Sequence, residues 1–165
     1  MILAAENRLK EVTKTVTFVS EQTLVARMSW WTAEYGLAGS LKDPKIYGAG
    51  LLSSVGESKL AMTDRVKKIP FSIDCINYTY NITEPQPQLF VAEDMHHLTD
   101  VLHELDALLA FNRGGRESLQ KAKESRAIAT VCLDTGTSIS GVLCVYESRG
   151  NRIVFVKFSG PFQLG

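Results

Sequence analysis

Apolar positions recur at two different periods along this chain, and the change from one to the other organises it. From Ser20, a residue suited to capping a helix, Leu24, Met28 and Trp31 recur at helical spacing until Gly36 and Gly39 break the run. Residues 4–18 carry a fainter helical pattern, weakened by the β-branched residues of EVTKTVTFVS. EYGLAGS and PKIYGAG flank the polar turn Leu41-Lys42-Asp43-Pro44 and predict a β-hairpin. LLSSVGESKLAM predicts a short helix interrupted at Gly56, while VKKIPFSID and INYTYNIT read as extended segments. PQPQ (85–88) predicts a loop, because each proline lacks a donor and restricts its predecessor; QLFVAE predicts a short strand.

The clearest helix spans 94–111, with Asp94 as its cap and a stripe of Leu98, Val101, Leu102, Leu105, Leu108 and Leu109. NRGGR (112–116) ends it and is the best boundary in the chain. A polar helix over 117–126 follows. Then AIATVCLD, SISGVLCVYES and RIVFVKFS, separated by TGT and RGN, predict a three-stranded meander. Three strands with one short helix make a marginal unit, and the ending SGPFQLG has no cap or polar tail. Both ends therefore read as cut from a longer chain.

Composition narrows the class. A chain of 165 residues, 45% hydrophobic and 22% charged, reads as a soluble globular protein. Eighteen basic residues balance eighteen acidic ones, so nothing in the charge favours nucleic acid or an anionic membrane. No segment could span a bilayer, and MILAAENRLKEV is too short an apolar run for a signal peptide. Cys75, Cys132 and Cys144 form neither a CxxC nor a Cys/His cluster, which argues for reduced thiols in a cytoplasmic protein. Without a secretory signal, the sequons at Asn77 and Asn81 are accidental.

Few residues offer chemistry. Glu34 falls in the last turn of the helix from Ser20, where a negative charge opposes the macrodipole and invites a compensating cation. His96 and His103 share a helix face but stand about 10.5 Å apart along the axis, too far for one ion. His96 and His97 diverge around the helix, so all three read as exposed histidines near a helix N-terminus. Gly48 and Gly50 precede a helix but lack the Gly-Lys-Ser/Thr of a phosphate loop. Ser53 and Ser54 have no histidine in sequence reach, which leaves a metal-independent hydrolase as a remote third reading. Trp30 and Trp31 read first as core. Pattern and composition alone yield a soluble mixed α/β domain.

One stretch says more. WWTAEYGL followed by KIYGAGLLSSVGES closely resembles the aromatic amino acid hydroxylases, the iron- and tetrahydropterin-dependent monooxygenases. The resemblance continues through KKIPFSID, YNITEPQPQLFVAED and the helix after it, covering about residues 20–111. The final third looks like the extension of a large bacterial branch of that family. The resemblance implies an α+β fold: residues 1–111 as the helix-rich C-terminal part of a hydroxylase-like catalytic domain, then a small β-meander over 112–165. It implies Glu34 as one ligand of an Fe(II) held by two histidines and a carboxylate. It places Trp30, Tyr35, Gly50 and Ser53 around an aromatic amino acid, most plainly phenylalanine, that reacts with molecular oxygen. The family's two histidines come from an H-x-x-x-H motif upstream of this block, and no histidine precedes Trp30 here. Most of the pterin site and the upstream residues that bind the substrate carboxylate are missing as well. The expectation is a fragment that supplies one iron ligand of three and is inactive alone. The alternative is a standalone, non-catalytic binding or structural module on the same scaffold.

Overall fold

The computed structural model describes Arg8 and residues 19–165; the helix expected over 4–18 otherwise lies outside the described residues. Glu21–Ala107 forms one compact unit, and the chain from Leu108 to Gly165 belongs to a second.

In the first unit, helix α1 (Glu21–Ser29) runs into a π-helical turn (Trp30–Glu34). The expected hairpin follows as β1 (Leu37–Ser40) and β2 (Asp43–Ile46), paired antiparallel from Leu37↔Ile46 to Ser40↔Asp43. Pro44 lies on the outer strand, where a missing donor is tolerated. The helical segment after it is broken at Ser54 rather than at Gly56, giving α2 (Ala49–Ser53) and α3 (Val55–Ala61). Ser54 is extended (φ −118°, ψ 104°) because its side chain accepts the Glu57 N–H and starts the second helix.

Strands β3 (Lys67–Pro70) and β4 (Gln88–Ala92) complete a sheet ordered β2-β1-β4-β3, with β4 parallel to both of its neighbours. Leu89, Phe90, Val91 and Ala92 are all 1–3% exposed, which is why this strand reads as a continuous apolar run rather than an alternation. Helix α4 (Met95–Leu108) begins at Asp94, whose carboxylate accepts the His97 N–H at 2.8 Å, as its capping chemistry predicts. The helix stops three residues short of the expected 111.

The extended reading of INYTYNIT is overturned. Ile73–Asn77 is a 3₁₀ turn, and residues 78–83 form no strand. Side chains take the backbone groups that a ladder would use. Arg27 donates to the Ile76 carbonyl (2.9 Å) and the Trp31 indole to the Tyr78 carbonyl (3.1 Å). Buried Gln86 accepts from the Asn81 N–H and donates to the Asn81 carbonyl, closing the loop on itself.

The second unit holds the short helix α5 (Ala110–Arg113), the polar helix α6 (Gly115–Ser125) and the meander β5 (Ile128–Cys132), β6 (Ser138–Arg149) and β7 (Arg152–Leu164). Gly114 and Gly115 (φ +60° and +68°) make the sharp junction between the two helices, a conformation that favours glycine. The meander is antiparallel in the order β5-β6-β7. Its last strand runs through SGPFQ to Leu164, beyond the expected RIVFVKFS. With a mixed sheet among helices in one unit and an antiparallel meander in the other, the chain is α+β. No described helix is long and apolar enough to cross a membrane.

A buried thiol and a half-buried phenol give the first unit a pH signature. Burial, reinforced by the Asp74 charge, pushes the Cys75 thiol up from 9.0 to about 12. Burial, reinforced by Cys75, pushes the Tyr47 hydroxyl up from 10.0 to about 12. Both groups are neutral when protonated, so the folded chain holds their protons after the unfolded chain has released them. Stability is therefore fully present below about pH 9 and is lost as pH rises toward about 12. Urea midpoints measured upward from neutral pH should fall over that window, and Tyr47→Phe, which keeps the ring, should flatten the upper part of the slope. A midpoint independent of pH would remove the argument.

Candidate functional site

The site starts from an irregular helix end. The Thr32 hydroxyl donates to the Met28 carbonyl at 2.7 Å, a back-bond that competes with the regular ladder. The Tyr35 N–H then reaches the Trp30 carbonyl, five residues back, at 2.9 Å. This widened π turn brings Trp30, Glu34 and Tyr35 to the end of the helix.

The hairpin returns the chain to that end. The N–H groups of Tyr47 and Gly48 both donate to the Gly36 carbonyl, at 3.2 and 3.1 Å. A Cβ on Gly48 would lie 2.5 Å from the Glu34 carbonyl oxygen and from the Gly36 nitrogen. A Cβ on Gly50 would lie 3.1 Å from Glu34 Oε2 and from the Tyr35 ring. Glycine at both positions lets one backbone lie directly on the other. Ser53 donates to the Gly50 carbonyl at 2.9 Å, and Trp30 stacks on Tyr35 with ring centroids 4.8 Å apart. The five residues singled out in the sequence, Trp30, Glu34, Tyr35, Gly50 and Ser53, thus form one connected cluster. Glu34 is exposed, and its carboxylate has no hydrogen-bond or ion-pair partner among the described residues.

Two neighbours escaped the sequence reading. Tyr80 covers the other face of Trp30 (4.2 Å, 8° between planes), so the indole is sandwiched between two phenol rings, and its Nε1 is buried without a partner among the described residues. Nothing local to Tyr80 announces a contact fifty residues back. Glu57 accepts a hydrogen bond from the Tyr35 hydroxyl at 3.0 Å. Burial first, then Glu57, pushes the Tyr35 hydroxyl above its ordinary range and keeps it a donor. A signal for Glu57 did exist: Ser54-Val55-Gly56-Glu57 is a capping-box spacing, and Ser54 Oγ does accept the Glu57 N–H (3.3 Å). Tyr35 and Glu57 also line a shallow, open depression together with Leu51, Leu60, Val66 and Leu89.

The other candidates are occupied elsewhere. Both serine hydroxyls serve local backbone. His96 pairs with Asp100 at 3.0 Å, and that hydrogen bond raises its pKa. His97 Nδ1 accepts the Glu93 N–H, with its ring edge-on to Phe71. His103 is exposed. Among the described residues no group of three or more His, Cys, Asp or Glu could hold a metal ion.

The backbone contact makes a paired prediction. Gly48→Ala should cost about 1–3 kcal/mol, the usual range for forced overpacking, because its Cβ meets backbone that cannot swing away. Gly56→Ala, whose Cβ would meet nothing within 4 Å, should stabilise by about 0.5–1 kcal/mol. Urea unfolding of both variants checks the difference in sign.

The family profile for biopterin-dependent aromatic amino acid hydroxylases matches residues 11–111, more than half of the chain. The phenylalanine-4-hydroxylase of Dictyostelium discoideum is 44% identical over 71 residues, 42% of this chain and 16% of that protein. That of Vibrio cholerae serotype O1 is 38% identical over 80 residues, 47% of this chain and 28% of the relative. A crystal structure of the Chromobacterium violaceum enzyme with iron and phenylalanine bound is 30% identical, covers 52% of this chain and 34% of that one, and has a TM-score of 0.47. The chain thus spans less than a third of the length of these curated relatives. On the strength of the profile match, this chain belongs to the biopterin-dependent aromatic amino acid hydroxylase family.

Proposed function

We propose that this chain is part of an iron- and tetrahydropterin-dependent monooxygenase that hydroxylates phenylalanine to tyrosine, with Glu34 as the carboxylate ligand of the iron. The observation that carries this reading is the exposed Glu34 carboxylate, without a partner among the described residues and held beside Gly50 and Tyr35 at the end of a π turn. Trp30, Tyr35, Gly50 and Ser53 supply the wall for an aromatic amino acid, which reacts with molecular oxygen. Three free thiols, one of them exposed, suit a reducing cytoplasm.

The donor set limits what these residues do alone. A facial iron site needs two imidazoles beside the carboxylate. All three histidines follow position 95, and two of them are engaged with Asp100 and with the Glu93 backbone. One hard oxygen donor does not hold Fe(II) against water, so the residues present do not fit the metal unaided and the chain is inactive by itself.

A second reading, a non-catalytic module, draws on a different observation. Both faces of Trp30 are covered, by Tyr35 and Tyr80, so an incoming aryl ring finds no free indole face to stack on.

Iron content and tyrosine formation separate the readings. The 165-residue chain should retain only substoichiometric Fe(II) after desalting, and tight stoichiometric retention would refute the one-donor argument. In a longer protein that carries two upstream histidines, Glu34→Ala should cut iron affinity by more than about 100-fold, beyond the effect of an outer-shell change, and abolish tyrosine formation. Unchanged iron content there would sink the assignment of Glu34. An iron-replete long protein that forms no tyrosine would favour the module.

A further inference from the structure

The two outer edges of the β5-β6-β7 sheet are built differently. The β7 edge carries Arg152, Lys157 and the Gly160-Pro161 pair, and its register against β6 shifts at three places. Charges, proline and bulges are the usual means by which an edge strand avoids pairing with another chain. Strand β5, Ile-Ala-Thr-Val-Cys, has none of them. It is uncharged, has no proline, and pairs with β6 in unbroken register from Ile128↔Val142 to Cys132↔Ser138.

The phase of the ladder says which groups are free. The Leu133 N–H donates to the Thr137 carbonyl at 2.8 Å, so this pair belongs to the hydrogen-bonded set. Alternation then turns the backbone groups of Ala129 and Val131 toward β6. Those of Ile128, Thr130 and Cys132 point to the edge that no described strand pairs with. The 2.9 Å contact between the Thr130 and Ser140 hydroxyls fits the closer, non-hydrogen-bonded type of pair. Ile128 is 78% exposed, and Thr130 and Cys132 are exposed too.

We infer that β5 is a self-pairing edge, and that its partner is β5 of a second copy of this chain, antiparallel about a two-fold axis at Thr130. The outward groups are spaced symmetrically about Thr130, so the strand complements itself. Thr130 faces Thr130 of the second copy, and each Ile128 faces the other copy's Cys132. Each of these three facing pairs exchanges two backbone bonds. The axis is perpendicular to the sheet, so Ile128 and Cys132 meet on one face and bury apolar surface that is exposed in the single chain. The strand itself is neutral, and the whole chain carries no net charge. The product is a continuous sheet of twice the width, which relieves the marginality of three strands.

Sedimentation equilibrium of the 165-residue chain at micromolar concentrations should show a monomer–dimer equilibrium. Ile128→Lys with Cys132→Lys sets like charges directly opposite each other across the new pairing and leaves the β6 ladder bonds in place. It should weaken association by about ten-fold or more. A chain that stays monomeric throughout, or a variant that associates as strongly as the parent, overturns the inference. A second variant reads the register without depending on that fold. In a Cys132→Ser background, Thr130→Cys places two thiols across the axis at a Cα separation of about 5.5 Å, within disulfide range. It should oxidise to a covalent dimer, whereas Ala129→Cys, on the opposite face, should not. Equal cross-linking of the two, or of neither, rejects this register.

Discussion

The contact of one backbone on another, Gly48 and Gly50 against the end of the π turn, is the constraint on which the larger unit depends. The Glu34 carbonyl lies where a side chain at position 48 would have to go, and the Glu34 carboxylate flanks position 50. The same closure supplies two bonds to the Gly36 carbonyl and fixes where the hairpin begins and ends. Strand β1 then pairs with β4, whose four apolar residues are the most continuous buried run in the unit. Site geometry and sheet geometry therefore share one joint. A disturbance at Gly48 reaches the candidate ligand and the central strand together.

Where local chemistry decides the conformation, the fold was legible in the sequence. Asp94 caps its helix because a carboxylate three residues before a free N–H can do so unaided. The β1–β2 turn and the three strands of the meander are likewise set by glycine and polar turn residues between β-forming runs. Legibility failed where distant side chains decide. Residues 78–82 have the alternation of a strand, yet Arg27 and Trp31, nearly fifty residues earlier, take the nearby carbonyls and Gln86 folds the loop back. The helix breaks at Ser54 rather than Gly56 because a serine cap starts a new helix there, while a glycine only weakens one. Of the candidate site, the five residues carried by the W-x-T-x-E and YGAGLLSS motifs were readable because a motif records spacing that the fold later closes. Tyr80, which enters from the misread segment, was not.

The cluster holds two carboxylates with opposite standing. Glu57 is committed to the Tyr35 hydroxyl, and the burial that raises the tyrosine's pKa also preserves it as the donor. Glu34 is exposed and uncommitted among the described residues, and a Cβ on Gly50 would lie 3.1 Å from its carboxylate oxygen. On the proposed reading, the acid left free is the ligand and the acid tied into the scaffold is its support. The Tyr35–Trp30–Tyr80 stack works in the other direction. Offset aromatic packing rigidifies the wall, but it uses both indole faces and leaves the indole N–H buried and unmatched. That donor, unmatched among the described residues, is the least satisfied feature of the cluster.

The smaller unit shows the converse economy. Of its large apolar side chains, Leu119 and Leu143 are buried, while Phe155, Phe162 and Leu164 are roughly half or more exposed. Helix α6 contributes Gln120, which accepts from the Tyr146 hydroxyl at 3.2 Å, but it is mostly polar and buries little. A sheet this small gains more from added strands than from a better helix, because each new ladder satisfies backbone groups and covers side chains on both flanks at once. The unequal edges follow from that need. If both edges were bare, strands could add without limit, and if both were guarded the unit would keep its exposed apolar surface. One guarded edge and one open edge, with the open strand symmetric about Thr130, permits a single closed addition and no fibre.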